Sequence, residues 1–320
     1  MKKLIFSSMV LLLCLTTSCV KGTSAQQSPI VMTEQEMINY TIFDSIYGLV
    51  MYDSGEPIQQ LVTEIALHFL GTAYVAGTLE KTPEALRVYL DKTDCILFVE
   101  MCTAFALTAK GLRINQATKD NEFYLNPKPS IKRAEPSYDL LCDNIRNMRY
   151  RKGQVEDYAS RIHYTSEWIL QNQTNGIVYE YTYELGEKIP LKFNYMSAHA
   201  NQYKQLSDTA ELRKIREMEN HLTASGPYYY IPKAKLYDPK IAAKIQSGDI
   251  ICFQSPQGQG IDIAHVALAY WVDKELHFIH ASYNEKKVVV EVKTLADYAN
   301  VGVRVIRINP TLSNFIAIPE

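Results

Sequence analysis

From residue 33 to 66 apolar side chains recur near helical spacing, and "SGEP" at 54–57 breaks the run, predicting two helices. "HFLGTAYVAGTLE" follows. Its glycines and small residues do not sustain a helix, so it reads as a loop. "TPEALRVYLDK" fits a short helix or an extended segment. A long apolar stretch then begins at Cys95. Thr93 or Asp94 can cap it and Gly111 can stop it, which predicts a helix from Cys95 to about Lys110. Residues 112–230 are mixed and rich in tyrosine, with "RIHYTSEWILQN" the most helix-like piece. That length suggests an inserted elaboration of a core rather than a second domain.

From Tyr230 the period changes. "GDIICFQ", "IAHVALAYWV", "ELHFIHASY", "KVVVEVK" and "GVRVIRI" are alternating or continuous β-branched runs separated by polar turns, the pattern of an antiparallel meander or small barrel. Helices first and sheet afterwards give an α+β class. A hydrophobic content of 47% supports a real core, and a net charge of −2 without long single-sign runs gives no reason to expect nucleic acid as partner.

The N-terminus changes the reading of the cysteines. Lys2 and Lys3 precede an apolar run, Leu4 to Leu15, too short to span a bilayer, and "LTTSC" follows. This resembles a bacterial lipoprotein signal. Residues 1–19 are then signal peptide and lipobox, Cys19 is lipidated, and 20–35 form a flexible tether. Thr16 stands where leucine is usual, so secretion with later cleavage stays open. Either route predicts export to the periplasm or cell envelope, and the lipoprotein route adds a membrane contact through the lipid anchor. Cys95, Cys102, Cys142 and Cys252 remain, with no C-x-x-C spacing for structural zinc. A disulfide such as Cys142–Cys252 stays open. Cys102 reads as core filling.

Strand alternation carries the chemistry. His265, Ala267, Ala269 and Trp271 share one face of a strand, and Leu276, Phe278 and His280 share one face of the next. A connection with an even number of residues sets Ala267 opposite His280 and His265 diagonal to it, within hydrogen-bond reach. His277 falls on the other face. The small residues Ala264, Ala267 and Ala269 leave room beside His265, and the helix beginning at Cys95 is the expected occupant. A helix start and an adjacent imidazolium both lower a thiol pKa, so Cys95 reads as nucleophile, His265 as base and His280 as the group orienting it. Backbone N–H groups at the helix start could add an oxyanion hole.

"GTAYVAGTLE", "DCILFVE", "SGDII", "IAHVALA" and "HFIHAS" occur in the order and spacing of the NlpC-type papain-like cell-wall cysteine hydrolases, which cut amide bonds of peptidoglycan peptides. With Tyr74 to Glu80, Asp94-Cys95, "YASRIHYTSEWI" and "GVRVIRI", the chain from about 60 to 308 resembles the N-acetylmuramoyl-L-alanine amidase-like branch. The resemblance implies a single papain-like domain over 36–320, elaborated at about 112–230. It implies Cys95, His265 and His280 as catalytic residues, with Tyr74 and Asp94 positioning substrate beside them. Glu80, Glu100, His163 and Trp168 match family pattern positions, and Asp249 of "SGDII" reads as a turn residue. Ile96 and Leu97 stand where relatives carry Ser or Thr, and Ala264 and Ala267 replace Ser and Gly, changes that bear on specificity.

The expected activity is hydrolysis of the bond between N-acetylmuramic acid and L-Ala in peptidoglycan or muropeptide fragments, without cofactor or metal. The alternatives are a D-Glu–diaminopimelate endopeptidase, a zinc amidase using Cys95, His265 and His280, and an inactive wall-binding lipoprotein.

Overall fold

The computed structural model describes residues 32–51, 55–114 and 131–314. The export signal, Cys19, most of the tether and Ser54 of the expected helix break lie outside the described residues. From Glu34 onward the described residues form one compact unit.

Two helices open it, α1 (Glu34–Val50) and α2 (Ile58–His68), followed by two short edge strands, β1 (Ala73–Tyr74) and β2 (Lys92–Thr93). The segment 81–91 between these strands is irregular rather than helical. Helix α3 (Cys95–Ala109) starts where the Asp94 carboxylate accepts the Leu97 N–H at 3.0 Å, and ends at Gly111 with φ of 61°. A Cβ on Gly111 would lie 2.7 Å from the Ala134 carbonyl oxygen. Every residue from Phe98 to Ala109 is buried, because α3 is apolar on all sides and is enclosed by α2, α4 (Tyr138–Arg149) and the sheet.

Strands β3 (Leu112–Ile114) and β4 (Ile131–Arg133) form a separate pair. Helix α5 (Thr165–Thr174) covers "TSEWILQNQT", and β5 (Val178–Glu180) and β6 (Glu187–Ile189) follow. Beyond α6 (Tyr195–Ala198) and α7 (Thr209–Ala224) run β7 (Tyr228–Pro232) and the short α8 (Lys233–Leu236) and α9 (Pro239–Ala242). The meander comes last: β8 (Ile250–Gln254), β9 (Ile263–Val272), β10 (Glu275–Ser282) and β11 (Lys287–Val290), then α10 (Leu295–Tyr298) and β12 (Gly302–Ile308). The sheet order is β2-β1-β11-β10-β9-β8-β12-β7-β6, with β5 also on β12. All pairs are antiparallel except β1–β2, so the class is α+β with a large mixed sheet.

The segment expected as an elaboration is woven into this framework. It gives β5, β6 and most of β7 to the main sheet, sets α4 against α3, and buries its own cluster around Tyr164, Phe193, Ile215 and Tyr228.

Buried ion pairs tie these parts together. Arg304 on β12, 1% exposed, donates to both Glu180 oxygens at 2.9 Å through Nε and Nη2, and through Nη1 to Ser166, which in turn donates to Asp262 just before β9. Asp249 accepts the Gln246 N–H in a turn, as expected, but it is fully buried and also grips Arg307 at 2.7 and 2.8 Å. Gly248 beside it has φ of 85°, and a Cβ there would meet the Gln59 carbonyl at 2.3 Å. Cys95, Cys102, Cys142 and Cys252 are all free thiols, so the Cys142–Cys252 disulfide left open above is not formed.

Candidate active site

The β9–β10 hairpin turns through Asp273 and Lys274, with φ of 47° and 74°, as a two-residue type I′ turn requires. The connection is therefore even. Val272 pairs with Glu275 and Leu268 with Ile279, and the same register sets His280 across from Ala267. His265 Nε2 lies 2.7 Å from His280 Nδ1, with the rings nearly perpendicular and 4.9 Å apart. His277 is on the opposite face, held by the Glu291 and Lys293 carbonyls.

A bulge adjoins His265: Ile263 pairs with Gln254 and His265 with Phe253, leaving Ala264 exposed and unpaired. Such an extra residue re-aims the side chain that follows it. His265 packs on Phe253, and His280, 1% exposed, packs on Phe278 and Tyr298. Burial lowers the His265 pKa to about 3, with His280 adding to the effect, and burial lowers that of His280 to about 4. Both rings are neutral near pH 7.

The expected packing of α3 beside Ala267 and Ala269 is not what forms. Those alanines sit under Phe253 and Phe278, while the body of α3 lies over Val266, Leu268, Ile279 and Ala281 on the other face. Bulky aromatic rings fill the space that the small residues leave. Only the start of α3 comes near the histidines. The half-buried Cys95 thiol is close enough to the Val266 N–H, one residue from His265, for that amide to favour its ionised form, and it interacts electrostatically with Tyr298, whose ring lies 5.8 Å from that of His280.

The direction of the thiol shift differs from the expectation of a ready-made thiolate. Burial, with the Asp94 carboxylate beside it, pushes Cys95 up to about 12, against the lowering effect of the Val266, Ile96 and Cys95 amides. Desolvation outweighs the helix start here. The resting group is a thiol.

A cavity of about 230 Å³ opens beside the start of α3, lined there by Asp94, Ile96 and Leu97 and not by Cys95 itself. Five residues singled out from the sequence line it: Glu80, Asp94, Glu100, His163 and Trp168. Tyr74 stands apart on β1, edge-to-face with Tyr283 and within electrostatic reach of Cys95 and Asp94. Burial, with those two neighbours, raises its hydroxyl to about 12. Two arginines that sequence reasoning missed organise the cavity. Arg149 binds Glu100 at 2.6 Å, and Glu100 also accepts from Trp168. Arg161 binds Glu80 at 2.9 Å and Glu84 at 3.3 Å. Burial works to lower the Arg161 pKa, but the two carboxylates outweigh it and raise it. Burial raises the carboxyls of Glu100 and Asp94, with Arg149 opposing both. His163 Nε2 meets the Tyr158 carbonyl at 2.9 Å, and burial drops its pKa well below the usual value. A carbonyl accepts only, so that nitrogen carries the proton. Arg161 lies inside "YASRIHYTSEWI", but nothing local marks its partner 81 positions away. Among the described residues no three His, Cys, Asp or Glu side chains converge as metal donors.

A thiol opening a buried helix, two hydrogen-bonded imidazoles on a neighbouring hairpin and an ion-lined cavity beside them define an α+β protein of hydrolase type. The chain belongs to the AmiA-like family, described as N-acetylmuramoyl-L-alanine amidase-like, whose model matches residues 64–302. It is similar to an N-acetylmuramoyl-L-alanine amidase from Bacteroides uniformis, with 30% identity and a TM-score of 0.65 over 80% of this chain and 99% of that one. A Bacteroides fragilis protein, provisionally named a xylanase, is also 30% identical, with a TM-score of 0.62 over 76% of this chain and 98% of its own. A Legionella pneumophila protein at 20% identity and a TM-score of 0.57 shares the fold. No curated protein matches the chain.

Proposed function

We propose that the protein is an exported, lipid-anchored cysteine amidase of the NlpC-type papain-like class, hydrolysing the N-acetylmuramoyl–L-Ala bond of peptidoglycan or its fragments. One observation carries the reading: His265 is bonded through Nε2 to His280, and the backbone N–H of the next residue, Val266, acts on the Cys95 thiol. With Nε2 engaged, Nδ1 of His265 is the nitrogen left to take the thiol proton.

The resting site is uncharged, so proton transfer accompanies attack. Sγ bonds to the lactyl carbonyl carbon as its proton passes to His265, and the carbonyl electron pair moves to oxygen, facing the N–H groups at the start of α3. His265 then gives that proton to the L-Ala nitrogen as the C–N bond breaks. Water, deprotonated by His265, releases the acyl group from sulfur. Glu80, Asp94, Glu100, His163 and Trp168 line the space available to substrate, and Tyr74 flanks the nucleophile. The family description and the named B. uniformis amidase support the choice of bond. The charged, apolar and small-residue order of residues 1–19 supports export and acylation of Cys19. Among the described residues no helix is long and apolar enough to cross a membrane.

The test is digestion of defined muropeptides with product masses, alongside xylan, for wild type and Cys95→Ala. Free lactyl-sugar plus intact peptide is expected, with turnover lost by about 10⁴-fold or more in the variant. A shortened stem supports the D-Glu–diaminopimelate cut. Binding without turnover supports an inactive wall-binding protein, and sugar release from xylan overturns the amidase reading.

A further inference from the structure

We infer that Glu291 is a positioning residue of this site, acting through His280 to decide which nitrogen of His265 carries the proton. The inference rests on the cysteine-amidase reading above. Glu291 follows β11, and its side chain, 14% exposed, brings Oε2 to 3.4 Å from His280 Nε2. That nitrogen is buried and has no hydrogen-bond partner among the described residues. It is the far end of the ring whose Nδ1 meets His265.

Two neutral imidazoles 2.7 Å apart must share one proton in one of two senses. If His280 donates from Nδ1, its Nε2 presents a lone pair to the Glu291 carboxylate, and lone pair faces lone pair. His265 then accepts at Nε2, carries its own proton on Nδ1, and cannot take one from the thiol. If His280 instead carries its proton on Nε2, that N–H has the carboxylate oxygen as an acceptor 3.4 Å away. His265 must then donate from Nε2, and its Nδ1 is left as the free base. A carboxylate is acceptor-only, so Glu291 selects the second, productive arrangement.

Glu291 also bears on the step itself. When the thiol proton reaches Nδ1 and the S–C bond forms, His265 becomes a cation in a site that burial otherwise keeps uncharged. The charge is shared through Nε2–H to His280 and opposed by the carboxylate at the end of the row, and charge-assisted contacts of this kind strengthen as charge develops. When the proton passes on to the leaving nitrogen the row returns to neutrality. The other groups around it are Tyr298 on α10, Cys95 and Asp94 at the start of α3, and His277, which takes the Glu291 carbonyl.

Glu291 Oε1 accepts the Lys293 N–H at 3.1 Å, which orders the turn after β11. A glutamine keeps that acceptor and removes the charge. Glu291→Gln is expected to hold the fold and KM, to lower kcat by about tenfold or more, and to slow iodoacetamide alkylation of Cys95 near pH 7. Wild-type kcat and alkylation in that variant overturn the inference. Imidazole ¹⁵N spectra of the unmodified protein give an independent reading that needs no variant: a proton on His280 Nε2 with His265 Nδ1 bare is expected, and a proton on His280 Nδ1 overturns the inference. Full turnover by Cys95→Ala would sink the cysteine reading instead, and the spectra would still report the tautomers.

Discussion

Two regions flank Cys95, and they treat buried polar groups in opposite ways. On one side, the cavity is lined by charges in pairs: Arg149 with Glu100, and Arg161 with Glu80 and Glu84. On the other, half-buried His265 and buried His280 pack among aromatic neighbours and lose their protons. Pairing keeps a group charged at low exposure, whereas burial with little compensation keeps it neutral. Fixed charges suit holding a substrate. Neutral groups whose protons can move suit the bond-making step. On the proposed function the cavity and the histidines would divide binding from proton transfer, with the Cys95 thiol between them.

The severest challenge to this division is to leave a cavity charge unpaired. Arg149 is buried, meets Glu100 through two nitrogens, and also reaches the Arg87 carbonyl at 2.6 Å. Arg149→Met strands Glu100 in a site that already raises its carboxyl pKa. Denaturant unfolding should show a loss of about 3–5 kcal/mol. Removing both partners, as Arg149→Met with Glu100→Leu, should recover most of that loss. A single variant as stable as wild type would show that the pair is not what keeps the cavity charged.

Acid should probe the other side more gently. The unfolded histidines take up protons near pH 6.5, while the folded His280 waits until about 4 and His265 until about 3. Above pH 6.5 their contribution is fully present. Below it the unfolded chain binds more protons, so stability falls as pH drops, by about 1.4 kcal/mol per pH unit for each histidine, until the folded values are reached. His163 has the same sign. Asp94 and Glu100, raised by burial, act in the opposite sense in the carboxylate range, so variants are compared at matched pH. His280→Asn should flatten the slope between pH 6.5 and 4 by about one proton. An unchanged slope would mean that His280 is not held neutral.

How far these two regions could be read from the sequence follows from the range of the interactions that build them. The histidine pair was legible because alternation and a two-residue turn fix a hairpin locally, and Asp94 as a cap is a first-turn effect. The fold class followed from the same periodicities. The face over which α3 lies was not legible: alanines signal free space but not whether a helix or a phenylalanine fills it. Arg149, Arg161 and Glu291 were missed for a related reason. Their partners lie 49, 81 and 11 positions away, and no local spacing marks them. The two-residue strand β1 and the three-residue β5 carry too few alternations to show a period.

The mildest change sharpens the comparison most, because it asks whether a paired charge beside open volume differs from one inside the fold. Glu80 is the most exposed of the paired carboxylates on the cavity side, at 42%, and its partner Arg161 keeps Glu84 as a second anchor. Glu80→Gln retains an acceptor for Arg161 and removes one negative charge. Glu80 is the exposed member and Glu84 still pairs the buried Arg161, so the unfolding free energy should stay within about 0.5 kcal/mol of wild type. If the cavity binds substrate through fixed charge, the loss should appear in KM, about tenfold upward, with kcat unchanged, since an interaction made equally in ground and transition states alters only binding. A fall in kcat at constant KM would move Glu80 from the binding side of Cys95 to the proton-transfer side, and the division drawn between the two regions would fail there.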